Sequence, residues 1–125
     1  LSKKISSKTL ALTIARAALE KKAEKVVIID ISDKVDYADY LVVSSGNSRR
    51  HVQTIAGEIE ESMKRKRITP IGIEGESEGT WILLDYGVVV AHVFQDEVRQ
   101  HYDIDGLWLD AERFEVQEKR KKRLQ

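Results

Sequence analysis

Trp81-Ile82-Leu83-Leu84-Asp85-Tyr86-Gly87-Val88-Val89-Val90-Ala91-His92-Val93-Phe94 reads as two strands joined by a short turn. Both arms are rich in β-branched and aromatic residues, which fit a pleated, half-buried surface. Asp85-Tyr86-Gly87 closes the hairpin, with glycine where the chain needs a left-handed conformation. Side chains alternate across a strand. Trp81, Leu83 and Asp85 therefore share one face, which ends beside Tyr86 at the turn, and Ile82 and Leu84 point to the other. Two aromatic rings, an apolar residue and a carboxylate have the composition of a protein-binding hot spot. The competing reading is that Trp81 and Leu83 are simply core.

Working outward, Ile71–Glu74 is a short strand set off by Pro70, the only proline, and Gly75–Thr80 is a polar loop. Upstream, Val52, Ile55, Ala56, Ile59 and Met63 form one apolar stripe at helical spacing, with Ser48 placed to cap the helix. Arg65, Lys66 and Arg67 suit the negative end of its dipole. Tyr40–Ser45 is a strand stopped by Gly46. Lys25–Ile31 is a continuous β-branched run, typical of a strand covered on both faces. Leu10, Ile14, Ala17 and Ala18 mark a first helix over Thr9–Lys22, with Ser7 as its N-cap. Downstream, Asp96–Tyr102 is a brief helix and Leu107-Trp108-Leu109 closes the core. Gln117–Gln125 is a charged terminal helix. The order α-β-β-α-β-β-β-α predicts an α/β (α+β) domain over residues 1–112, followed by a charged tail over 113–125. Its mixed sheet has about five strands, flanking helices and at least one free edge. A free edge or hairpin face leaves a homodimer open.

Composition narrows the function. The 21 basic and 21 acidic residues cancel, which argues against a general nucleic-acid coat. The chain has no cysteine, which excludes a disulfide scaffold, a thiolate zinc site and a cysteine nucleophile. No apolar run is long enough to span a bilayer, so no membrane partner is expected. The first residues lack a signal-peptide core, pointing to the cytoplasm or an organelle interior.

Catalytic signals are weak. His51, His92 and His101 form no metal-ligand pair, and His92 in its apolar strand reads as a core histidine bonded to a neighbour. Ser44-Ser45-Gly46-Asn47-Ser48 is a strand-to-helix turn where a phosphate could bind. It lacks the length and lysine of a P-loop, so helix capping is the better reading. A nucleotidyltransferase would need an Asp-x-Asp pair on the next strand to hold metal ions. Only Asp103 and Asp105 have that spacing, in a late loop. Asp30, Asp33, Asp36 and Asp39 are expected to cap turns or face solvent. No catalytic, cofactor or metal site is expected, and an enzyme is the rival class. The basic run Lys119–Arg123 is expected to be a solvated end, with a minor ribosomal RNA contact as the alternative.

Taken together, several segments resemble the ribosomal silencing factor family (the Iojap-like proteins). They are Asp30-Ile31-Ser32, Asp39–Ser48, Arg50-His51-Val52, Glu74-Gly75, Trp81–Gly87, Val90–Phe94, Arg99, Tyr102 and Leu107-Trp108. The resemblance spans about residues 10–110 and is specific in order and spacing. It implies a fold similar to nucleotidyltransferases without that chemistry. It further implies binding to the large ribosomal subunit through its protein fourteen, which blocks small-subunit joining and represses translation. The contact is implied around Trp81, Asp85 and Tyr86. Tyr86 stands where relatives often carry an aliphatic residue, and Asp105 where they often carry Glu.

Overall fold

The structure, a computed structural model, describes residues 5–117. Its elements are α1 (Ser7–Glu20), β1 (Glu24–Asp30), β2 (Tyr40–Gly46), α2 (Arg49–Arg65), β3 (Gly72–Glu74), β4 (Trp81–Asp85), β5 (Val89–Gln95), α3 (Asp96–Tyr102), α4 (Ile104–Leu107) and β6 (Arg113–Glu115). The strands form one mixed sheet in the order β3-β4-β5-β2-β1-β6. Only the central β2–β5 pair is parallel. A parallel pair needs a crossover, and α2 with the β3–β4 hairpin supplies it. Nearly every residue of β2 and β5 is buried, because both faces of the sheet centre are covered.

Helices α1 and α2 cover one face. The predicted stripe Val52, Ile55, Ala56, Ile59 and Met63 is buried there in full, against Ile82, Leu84, Ala91 and Val93 from the sheet. Each of the larger side chains, Val52, Ile55, Ile59 and Met63, contributes about 2 kcal/mol when removed from water. The Ser48 hydroxyl accepts from the His51 amide at 3.0 Å and caps α2 as expected. On the first helix the cap is Ser6, whose hydroxyl accepts from the Thr9 amide at 3.1 Å, and Ser7 is the first helical residue.

The second face is covered by smaller pieces. Val27, Ile29, Leu41, Val43, Val90 and Phe94 pack under Ile31, Val35 and Ala38 of the loop after β1, and under Val98, Ile104, Trp108 and Ala111. Arg99 locks α3 and α4 onto this face. Its Nε and Nη2 donate to the two Asp105 oxygens at 3.0 and 2.8 Å, and Nη1 donates to the Lys25 carbonyl and the Ser45 hydroxyl. The Lys25 carbonyl is available because β1 bulges there, with Lys25 at φ 51° and a break in the β1–β2 register.

Three expectations need correction. The sheet has six strands, since Arg113–Glu115 pairs with β1 across Ile29–Val27, so the domain does not end at residue 112. A three-residue edge strand with charged residues at both ends carries no periodicity to read. The Leu107-Trp108-Leu109 segment does not close the core as a unit, because Leu107 and Leu109 are 70% and 81% exposed while Trp108 is half-buried. They sit at the end of a single-turn helix, which cannot bury a run of consecutive residues. The free edges are β3 and β6. The terminal helix and basic run expected after Gln117 lie outside the described residues, none of whose helices is long and apolar enough to cross a membrane.

Candidate functional site

The β4–β5 register sets Trp81 opposite Phe94, Leu83 opposite His92 and Asp85 opposite Val90, all on the second face of the sheet. Trp81 stacks on Phe94 with ring centroids 4.9 Å apart and leans on Tyr102, also at 4.9 Å. Its indole N–H donates to His92 Nδ1 at 3.0 Å. His92 is therefore the predicted core histidine bonded to a neighbour. Burial lowers its pKa to about 4, which keeps it neutral at physiological pH and leaves Nδ1 free to accept. Trp81 and Leu83 remain half-buried, between core and surface, because the loop and short helices that cover β1 and β2 do not fully cover β4.

Asp85 is half-buried, and its Oδ1 accepts from the Gly87 amide at 2.8 Å, tightening the turn. Gly87 has φ 84°, the conformation expected for it. Tyr86 does not join Trp81, Leu83 and Asp85. It is 8% exposed and packs in the core under α1 and α2, on the opposite side of the sheet. Burial raises its hydroxyl pKa to about 12, and that oxygen has no hydrogen-bond partner among the described residues. The signal was in the sequence: the alternation that groups 81, 83 and 85 sends 86 to the other side.

Acidic residues border the aromatic face. Glu74 pairs with Leu83 from the edge strand β3, and Glu76 and Glu78 are exposed in the following loop. That loop is tied to α2, because Arg49 Nε donates to the Glu78 carbonyl at 2.6 Å and Gln53 Nε2 to the Glu76 carbonyl at 2.9 Å. Gly75 and Gly79, at φ 87° and 69°, supply its two left-handed positions.

The other candidates are occupied by structural work. Ser44 and Ser45 are buried, and Ser45 bonds to Arg99. His51 Nδ1 accepts from the Asn47 amide at 2.9 Å, and its Nε2 lies 2.7 Å from the Lys21 carbonyl, tying the β2–α2 turn to the end of α1. Asp103 caps α4 by accepting from the Gly106 amide, whereas Asp105 is committed to Arg99, which holds its carboxyl below the usual range. The two aspartates thus serve different bonds. Among the described residues no group of three His, Asp or Glu is placed to hold a metal ion. Asp30 accepts from Ser32 in a local turn, as its sequence position suggests.

Comparison with known proteins agrees with this architecture. The profile of the family described as "Ribosomal silencing factor during starvation" matches residues 4–125. The protein named ribosomal silencing factor RsfS in Bacillus subtilis is 36% identical over 107 residues, covering 86% of this chain and 91% of its own. The Mus musculus protein named mitochondrial assembly of ribosomal large subunit protein 1 is 29% identical, over 71% of this chain and 40% of its own length. A crystal structure of a Chromobacterium violaceum protein superposes with a TM-score of 0.81 at 29% identity, covering 83% of this chain and 87% of its own. With a family profile spanning nearly the whole sequence and a relative well above 30% identity, the chain belongs to the ribosomal silencing factor family.

Proposed function

We propose that the chain docks on protein fourteen of the large ribosomal subunit through Trp81, Leu83 and Asp85, and so keeps the small subunit from joining. The observation that carries this reading is the half-covered Trp81–Leu83 surface beside acidic Glu74 and Asp85. Apolar and aromatic groups at the centre with charge at the rim are the usual anatomy of a protein interface. Ribosomal proteins are rich in lysine and arginine, so an acidic rim favours their approach and repels the phosphate backbone of RNA. The names of the relatives, a ribosomal silencing factor and a protein of large-subunit assembly, support a ribosomal partner. The mechanism is steric: a 14.3 kDa domain fills space that the small subunit needs, with no turnover. Tyr86 acts indirectly, by packing the hairpin onto the helix layer.

The test is pull-down of purified protein fourteen by wild type and by Leu83→Arg. Leu83 is chosen over Trp81, whose indole also supports the fold through Phe94 and His92. Leu83→Arg is expected to lose binding by at least about 100-fold, the scale of a central hot-spot residue, while its circular dichroism stays that of wild type. Unchanged capture by a folded Leu83→Arg would remove this face from the reading.

A further inference from the structure

Where the start of β4 meets α3, a pocket of about 480 Å³ opens beside the docking face. We propose that it receives an arginine side chain from the basic protein partner. This rests on the docking reading above and names the chemistry of one anchor within it. Trp81 and Tyr102 form one aromatic wall of the pocket, in contact with ring centroids 4.9 Å apart and planes inclined at 46°, with Val98 beside them. Tyr102 is 57% exposed, so the wall faces solvent. Glu78 and Glu97 line the same pocket, both exposed.

The combination selects a cation. A guanidinium is planar, weakly hydrated and attracted to aromatic faces, and its five donors suit paired carboxylates. Among the described residues no lysine or arginine lines the pocket, and His101 is the only other titratable group in it apart from Tyr102. Of the nearby cations, Arg99 is buried against Asp105, whereas Arg49 sits at the pocket rim and is held by its Nε to the Glu78 main-chain carbonyl, so it is not bonded to either carboxylate. Two carboxylates disfavour a phosphate or an RNA backbone. A divalent ion would ask for more oxygen ligands than Glu78 and Glu97 offer. The arginine stem would cover Val98 and the indole edge as its head reaches the carboxylates.

The pocket can be tested without a ribosome. Two indole N–H signals, from Trp81 and Trp108, are expected in a nitrogen–proton correlation spectrum. Titration with acetyl-arginine methylamide is expected to move the Trp81 signal saturably and leave that of Trp108 in place. The neutral isostere, acetyl-citrulline methylamide, is expected to have little effect, and Glu78→Gln/Glu97→Gln is expected to abolish the arginine response. On the large subunit, that double variant is expected to bind about tenfold more weakly than wild type, with a shallower salt dependence. Equal shifts from the two compounds, or wild-type subunit affinity in the double variant, would overturn the inference. Failure of wild type itself to bind the subunit would instead overturn the docking reading, and an arginine response would still support the pocket.

Discussion

At the residue scale, two buried polar groups hold the second face of the sheet. His92 is 7% exposed with a pKa of about 4, below its unfolded value of 6.5. Between those values the unfolded chain binds more protons than the folded one. Stability therefore rises with pH through this window, is fully present above 6.5 and is lost as pH falls toward 4. The loss is about 3 kcal/mol. Urea unfolding at pH 7 and pH 4.5 should show it, and His92→Gln, which does not titrate but can still accept from Trp81, should lose less. Arg99 is the second such group, with four hydrogen bonds from one buried guanidinium. Removing one partner of a buried ion pair leaves the other uncompensated, so Arg99→Met is expected to cost about 3 kcal/mol in chemical denaturation. Arg99→Lys should be nearly as costly, since an ammonium cannot fork onto both Asp105 oxygens. Nothing in the local sequence announced this role. Arg99 lies in a short helix between Val98 and Gln100, and its partners come from positions 25, 45 and 105.

Among the elements, the hairpin 81–94 and helix α2 were legible because their apolar periods are long and unbroken. The alternation of β4 assigned Trp81, Leu83 and Asp85 to one face, and the register confirms it. Strand β6 and the exposure of Leu107 and Leu109 were not legible. Each lies in or just after an element of three or four residues, where tertiary pairing outweighs any local pattern. The tail expected from residue 113 begins instead as a sheet edge, because the unsatisfied amides and carbonyls of β1 accept a partner strand. Asp85 joins element to site, since it braces the turn and carries charge on the docking face. Asp85→Asn preserves an oxygen for the Gly87 amide and removes the charge, while Asp85→Ala removes both. Thermal melts should place Asp85→Asn close to wild type and Asp85→Ala about 1 kcal/mol lower. Both should bind the partner more weakly, with a reduced salt dependence.

For the whole molecule, a zero net charge conceals an uneven distribution. Glu74, Glu76, Glu78, Asp85 and Glu97 gather around the aromatic face. The charge balance alone spoke only against a general nucleic-acid binder; placing the acidic residues beside Trp81 required the fold. In the proposed mode of action this domain, seated on the large subunit, excludes the small one. This exclusion is tested most directly by light scattering of subunit joining at rising protein concentration, with co-sedimentation on each separated subunit to report occupancy. Binding to the large subunit alone is expected, with loss of joining in proportion to that occupancy. Full joining by large subunits saturated with the protein would contradict it.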